Sequence, residues 1–107
     1  MATGIIVRTD GTLQTREFDT YEEINEALSG YIEGIFGEGW TGYCNEDGKL
    51  IGLPVNRAAT WFAQHNGWNV PDFLVGPVIF FGPTDEEGDD TSVPQWVIDR
   101  LHQGETL

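Results

Sequence analysis

Cysteine and lysine are almost absent from this chain of 107 residues, which contains one of each, Cys44 and Lys49. A single cysteine cannot form an internal disulfide, so we expect a reducing, intracellular compartment. The apolar runs fall well short of the ~20 residues that a membrane span requires. The N-terminal stretch also lacks a basic region followed by an apolar one, so we expect a soluble protein without a targeting signal.

Basic residues in general are scarce, with 5 Lys and Arg against 18 Asp and Glu, which gives a net charge of -13. Because no basic cluster could displace phosphate counterions, direct nucleic-acid binding and binding to anionic membranes are excluded. Two interpretations of the acidity remain open. It forms a solubilising surface, or it is a decoy that presents carboxylates where a DNA-binding protein expects phosphates.

Apolar residues are plentiful by comparison: 39% of the chain is hydrophobic and 12% aromatic, including four tryptophans. A chain of this length buries somewhat more than ~60% of the surface that it exposes when unfolded. We therefore predict a single domain over residues 1–107, with no internal repeat or linker.

The first half of the chain predicts a hairpin and a helix. Apolar and polar residues alternate on both sides of Asp10-Gly11, which is typical of paired strands over 4–9 and 12–18. Thr20 and Glu23 have capping-box spacing, and apolar residues then recur at helical spacing as far as Ile35. This pattern predicts one long helix that ends at Gly37 or Gly39.

The second half alternates strands with short helices. A strand is predicted from Trp40, followed by a turn over 45–48. Asn56 suits the N-cap of a helix that Gly67 ends, and the apolar run 73–81 is typical of a central strand, with a bulge at Pro77. Ser92 and Gln95 predict the start of a C-terminal helix. The fold class is α+β: a small mixed or antiparallel sheet of four to five strands with two to three helices.

Cys44 is the obvious candidate for chemistry, because His65 and His102 could in principle accept its proton. No spacing rule connects them, and a lone cysteine on a strand is more often a small buried hydrophobe. A structural zinc ion prefers about four clustered Cys or His ligands. The sequence therefore predicts no catalytic residue, no metal site and no cofactor.

Two sets of residues are candidates for binding. The first is a set of rare polar groups beside a turn and a helix start, which could hold a small anion: Lys49, Asn56 and Arg57. The second is an acidic surface flanked by aromatic side chains, which could contact a protein: Glu22, Glu23, Glu26, Trp68, Phe73, Asp85, Glu86, Glu87, Asp89 and Asp90. The alternatives are a helix cap with an internal ion pair, and a solvated loop over 83–92 that could also attract a divalent cation.

The order "YIEGI", then "CNEDGKLIGLPVNRAA", then "LVGPVIFFG" resembles the family known as domain of unknown function 3846, small proteins encoded by bacteriophages, plasmids and other mobile elements of bacteria. The most specific part is the segment 44–57. The matching residues are Asn45, Glu46, Gly48, Lys49, Gly52, Leu53, Pro54, Asn56 and Arg57, with Gly76, Phe80 and Gly82 matching more loosely.

The resemblance implies an accessory protein that acts in the host cytoplasm, and it implies no enzymatic activity. Our first hypothesis is a non-enzymatic interaction protein that binds or inhibits a host protein, such as a defence enzyme or a DNA-binding protein. The alternative is a module that sequesters an anionic metabolite or nucleotide. The sequence leaves open a monomer or a homodimer.

Overall fold

The computed structural model describes residues 2–105, with side chains up to 104. Five strands form one sheet in the order β2-β1-β5-β4-β3, and every neighbouring pair is antiparallel. This architecture confirms the α+β prediction and the N-terminal hairpin. The elements are β1 (Ala2–Val7), β2 (Leu13–Phe18), α1 (Tyr21–Leu28), β3 (Ile32–Gly37), β4 (Trp40–Asn45), α2 (Arg57–His65), β5 (Val78–Phe81) and α3 (Gln95–Glu105).

Helices cover both faces of the sheet, so the domain has three layers. On one face α2 and α3 pack over a core that includes Trp40, Phe62 and Phe80. On the other face α1 packs over a smaller core that includes Ile24 and Phe81. We call these faces the α2–α3 side and the α1 side. Because β5 is central and buried on both faces, its sequence is apolar at every position instead of alternating.

The prediction of one long helix was wrong beyond Leu28. Ser29 adopts a left-handed conformation with φ of 60°, and the N–H groups of Ser29 and Gly30 bond the last carbonyls of α1. The chain then continues as β3, the edge strand next to β4. Apolar residues that would share a helical face alternate here between the two faces of the sheet, with Ile35 buried on the α2–α3 side.

Helix boundaries in the second half follow the sequence more closely. The Asn56 side chain accepts from the N–H of Ala59 at 3.0 Å, which confirms this N-cap. The cap predicted at Ser92 was wrong, because its hydroxyl accepts from the N–H of Thr3 at 3.0 Å and so ties β1 to the start of α3.

No helix among residues 2–105 is long and apolar enough to cross a membrane.

Candidate binding site at the edge of the sheet

The segment 44–57 forms the turn that leads from β4 to α2, and Asn45 organises its first half. The side-chain amide of Asn45 donates to the carbonyl of Leu28 at 3.0 Å and thereby caps the C-terminal end of α1. Its side-chain oxygen accepts from the N–H of Asp47 at 2.8 Å, which starts the turn. Gly48 follows where a Cβ would lie 2.8 Å from a methyl group of Val75, so a larger residue would force its neighbours to shift. The turn predicted at 45–48 is confirmed, and the side-chain amide of Asn45 has a structural role in it.

Asn56 has the same kind of role at the other end of the segment. It is fully buried, and its amide nitrogen donates to the carbonyls of Val7 and Gly76 at 2.8 and 2.9 Å. Its oxygen caps α2 at Ala59, as described above. Because both amide protons and the oxygen already have protein partners, the side chain has no free donor for a ligand.

Between this turn and the loop before β5 lies a small pocket of about 110 Å³ at the β3 edge of the sheet, on the α2–α3 side. We call it the edge pocket. Its wall combines residues of β3 and β4 with residues of both loops, and it joins the segment 44–50 to the aromatic stretch 68–75. The lining residues are Glu33, Ile35, Cys44, Asn45, Glu46, Lys49, Leu50, Trp68, Asp72, Phe73, Leu74 and Val75.

Lys49 is the only cation among the residues that line the edge pocket, and it already has a counter-charge. Its ammonium group lies 2.5 Å from Asp72 and 4.7 Å from the centre of the Phe73 ring. The hydrogen bond from Lys49 is the main cause that lowers the pKa of the Asp72 carboxyl below its usual value. Because both side chains are partly exposed, the pair adds little stability. The Asp72 carboxylate does, however, neutralise the positive charge of Lys49 that would attract an anionic ligand.

Cys44 lines the same pocket, but its thiol is protonated under ordinary conditions. Burial raises its pKa to about 11, and the nearby Glu33 carboxylate adds to the effect. The thiol lies 3.8 Å from the carbonyl oxygen of Glu33, to which it donates. No histidine lines the pocket that could accept the proton. The geometry supports the interpretation of Cys44 as a packing residue.

Exposed apolar side chains occur in both loops that form the edge pocket. Leu50 is 86% exposed and Ile51 is 61% exposed at the tip of the turn. Val70 and Phe73 are each close to half exposed in the loop that precedes β5. We call these four residues the apolar rim. Leu50 and Phe73 also line the pocket itself, and exposed apolar groups beside a pocket are typical of a surface that contacts another molecule.

The structure does not bring the three predicted ligand residues together. Lys49 lies at the edge pocket, and Asn56 is buried in the core. Arg57 lines a separate open groove beside the β1–β2 turn, together with Asp10 and Trp61. The proposed combination of two cations and an amide around one anion therefore has no common site in this fold.

The predicted acidic surface lies on the α1 side, where the loop 83–92 meets the start of α1 around an open pocket with Asp19, Asp85 and Asp89 in its wall. Glu22, Glu26, Glu86 and Glu87 are exposed, whereas Glu23 is partly buried and accepts from the N–H of Asp19. Asp85 accepts from the N–H groups of Glu87 and Asp89 at 2.9 Å, which gives the loop a defined turn. Within residues 2–105 no group of three or more Asp, Glu, His or Cys side chains is arranged to hold a metal ion.

Asp90 is an exception to the predicted acidic surface. It is buried and accepts from the hydroxyl of Tyr43 at 2.6 Å, so it is not available to a partner. The buried hydroxyl and this bond raise the pKa of Tyr43 far above its ordinary value. The predicted aromatic residues Trp68 and Phe73 line the edge pocket on the other side of the sheet. The acids and aromatics therefore form two surfaces and not one.

Sequence reasoning missed two carboxylates of the edge pocket. Glu33 was assigned to the first helix but belongs to β3, and Glu46 was noticed only for its place in the motif. Neither carboxylate forms a hydrogen bond or ion pair within the described part of the chain. Gly30 and Gly34, on either side of Ile32, were the available signal against a continuous helix, because glycine lowers helix propensity at both positions.

The chain folds as a small three-layer α+β domain. Its five-stranded antiparallel sheet has one helix on one face, two helices on the other and a pocket at one edge. Residues 1–104 match the model of the family described as Domain of unknown function (DUF3846), and the chain belongs to that family. This match confirms the resemblance found in the sequence. Among curated proteins and among solved structures, nothing matches the chain.

Proposed function

We propose that this protein is a non-enzymatic interaction protein that binds a basic host protein through the edge pocket and the apolar rim. The observation that carries the proposal is the exposure of Leu50 and Phe73 beside a pocket whose single cation is neutralised by Asp72. An accessory role for a bacteriophage or another mobile element, in the cytoplasm of the host, is part of the same proposal.

The apolar rim supplies the contact that a protein partner needs. Aromatic side chains near the centre of an interface carry much of the binding energy, and Phe73 is held in place by Lys49 over its ring. Trp68 also lines the pocket and is partly buried against the main core. A partner side chain that enters here would exchange water for contacts with two aromatic rings.

The charge of the chain favours a basic partner. A net charge of -13 speeds the encounter with a positively charged protein and repels an acidic one. Close to the pocket, Glu33 and Glu46 offer carboxylates that have no counter-charge within residues 2–105. These two groups would select the part of the partner that docks, whereas the acids on the α1 side would act at longer range.

A small-anion binder, the alternative, has less support. Its three residues lie in different places. Lys49 is engaged by Asp72, and Asn56 is engaged by backbone carbonyls. A panel of nucleotides and anionic metabolites tests it directly. A rise of several degrees in the thermal midpoint with one of these compounds, and no protein partner, would support the alternative over our proposal.

The test is affinity capture from a bacterial host lysate, followed by titration of the purified partner against matched variants. We expect Phe73→Ala to weaken binding at least ~10-fold, which corresponds to about 1.4 kcal/mol. Tyr21→Ala is the control, because Tyr21 is an aromatic residue of similar exposure, 48% against 46%, on the α1 side. Equal affinity of the Phe73 variant and the wild type would contradict the proposed surface.

A further inference from the structure

The two edges of the sheet differ in how they are protected. The outer strand β2 presents exposed polar and charged residues. Two of them accept hydrogen bonds from residues in or next to β1: Gln14 accepts from Arg8, and Glu17 accepts from Thr3. Charges of this kind discourage a further strand from pairing. The other outer strand, β3, has the sequence IEGIFG with a single charge at Glu33. The edge at β3 is therefore the less protected of the two.

The register of β3 on β4 shows which backbone groups face outward. The N–H of Glu46 donates to the carbonyl of Tyr31 at 2.9 Å, and the pairing continues in the same register from Ile32 to Gly37. In an antiparallel pair, hydrogen-bonded positions alternate, so residues 33, 35 and 37 bond to β4. The N–H and C=O groups of Ile32, Gly34 and Phe36 point away from the sheet.

These outward groups span the middle of the edge and have no backbone partner in a loop or neighbouring element among residues 2–105. The exposed stretch from Ile32 to Phe36 is about 17 Å long at ~3.4 Å per residue. It ends where the N–H of Glu38 donates to the carbonyl of Asn66 at 3.0 Å, which fixes the end of the strand. The edge is thus a preformed row of donors and acceptors for one short strand.

Side chains of an added strand would alternate between two different environments. On the α2–α3 side they would lie beside Glu33 and Ile35, which line the edge pocket. On the α1 side they would lie beside Gly34 and Phe36, and Phe36 is 63% exposed. Gly34 has no side chain, and the Phe36 ring lies 3.4 Å from where a Cβ of residue 34 would be, so this ring is the main side-chain contact on that side.

The edge pocket fits a lysine or arginine of the incoming strand. Its wall provides Trp68 and Phe73 for an aliphatic stem, and the carboxylates of Glu33 and Glu46 for the cationic end. On the opposite side Phe36 would contact an apolar residue. The edge therefore matches an extended segment that alternates basic and apolar residues, which agrees with the net charge of -13.

We propose that β3 binds an extended segment of a basic partner protein as a sixth, edge strand, with one lysine or arginine side chain in the edge pocket. This inference rests on the proposed function and specifies how the partner is held. Main-chain hydrogen bonds to Ile32, Gly34 and Phe36 supply affinity, and the pocket and Phe36 select the alternating side chains.

Amide hydrogen exchange measured by NMR tests the strand addition directly. The probe is a nonapeptide that alternates lysine with leucine, and the control is the same peptide N-methylated on alternate amides. We expect the parent peptide to slow exchange at Ile32, Gly34 and Phe36 at least ~10-fold at saturation, since added hydrogen bonds must open before exchange. The amides of Glu33 and Ile35 already bond to β4 and should change little. At least one of the two possible methylation patterns should abolish the protection.

A pair of variants tests the same edge from the protein's side. Gly34→Pro removes an outward N–H but no hydrogen bond to β4, so it is tolerable at an edge position. We expect it to weaken peptide binding at least ~10-fold, whereas Gly34→Ala, which retains the N–H, should bind within ~3-fold of the wild type. Thermal unfolding establishes that each variant is folded. If the proline variant does not fold, the N-methylated peptides provide the test.

The outcomes separate this inference from the proposed function. Suppose that these amides stay unprotected with the peptide and also with a captured partner whose binding depends on Phe73. That result would overturn the strand addition and leave the proposed function standing. Protection of the same amides in the free protein, with a dimer in sedimentation experiments, would mean that a second copy occupies the edge and would also overturn it. Protection by the peptide, lost in Gly34→Pro, would support the inference even before the natural partner is known.

Discussion

Replacement of Asn56 by alanine tests whether the most specific part of the family motif is structural. The side chain caps α2 through Ala59 and donates to the carbonyls of Val7 and Gly76, all within 3.0 Å and fully buried. Loss of the cap costs ~1 kcal/mol. Two buried carbonyls that lose their donors add ~1 to 1.5 kcal/mol each. We expect Asn56→Ala to lower the free energy of unfolding by about 3 to 4 kcal/mol.

This loss is a large part of the ~5 to 15 kcal/mol that stabilises a domain of this size. Urea denaturation measures it, and the thermal midpoint should fall by roughly 15 °C or more. Asn69→Ala is the control, because Asn69 is exposed in the loop before β5. We expect that substitution to stay within ~0.5 kcal/mol of the wild type.

Asn56→Asp separates the cap from the two donors. The aspartate keeps the capping oxygen but faces the carbonyls of Val7 and Gly76 without a donor when it is ionised. Burial and these carbonyls should raise its folded pKa above the unfolded value of ~3.9. With the folded pKa raised, the stability of this variant is greatest below pH ~4 and is lost as the pH rises through the folded pKa.

A loss below ~1 kcal/mol in Asn56→Ala, together with a pH-independent stability difference between Asn56→Asp and the wild type, would refute the reasoning. Asn56 would then lack the structural role that its contacts indicate. A ligand role for this position in the motif would then be tested again, starting with the nucleotide panel described above.

Three further predictions concern the core and the pocket. Tyr43→Phe removes the hydrogen bond to buried Asp90 and should cost ~1 to 2 kcal/mol in urea denaturation. Because the folded pKa of Tyr43 is raised, its contribution is complete below pH ~10 and is lost as the pH rises further, so the difference between this variant and the wild type should shrink in alkali. The Cys44 thiol, with a pKa of about 11, should react slowly with a disulfide reagent at pH ~8 and rapidly once urea unfolds the chain; fast reaction of the native protein would contradict its burial. Gly37→Ala would place a methyl group against the buried indole of Trp40 and should cost ~1 to 3 kcal/mol. Gly34→Ala on the same strand meets only ordinary contacts. Equal thermal midpoints for the two variants would refute this packing.

Local signals in the sequence were sufficient for several elements. Asp10-Gly11 predicted the hairpin, and Thr20 and Asn56 predicted two helix starts. The apolar run 73–81 predicted a central strand, of which the structure forms only Val78–Phe81. Each of these depends on residues close together in the chain, where turn chemistry, a cap or uniform burial leaves a direct trace. The motif order was also enough to predict the family.

The errors occurred where contacts outside the apolar spacing and the capping pattern decided the structure. Residues 32–37 have apolar spacing compatible with a helix, but pairing with β4 and the contact between Asn45 and the end of α1 make them a strand. Ser92 has the composition of a helix cap, but the N–H of Thr3, 89 residues away, takes its hydroxyl. The partner of Ser92 is not visible from the local pattern, whereas β4 follows β3 directly across the turn at Glu38-Gly39.

The sequence by itself determined the composition of this domain, its strong negative charge, most of its elements and its family. Only the tertiary structure decided which of its polar groups are free. It commits Asn45 and Asn56 to backbone carbonyls and pairs Lys49 with Asp72, and it leaves the outer edge of β3 without a backbone partner among residues 2–105. The physical reason is that hydrogen bonds across the sheet and between loops depend on the folded arrangement and not on spacing along the chain.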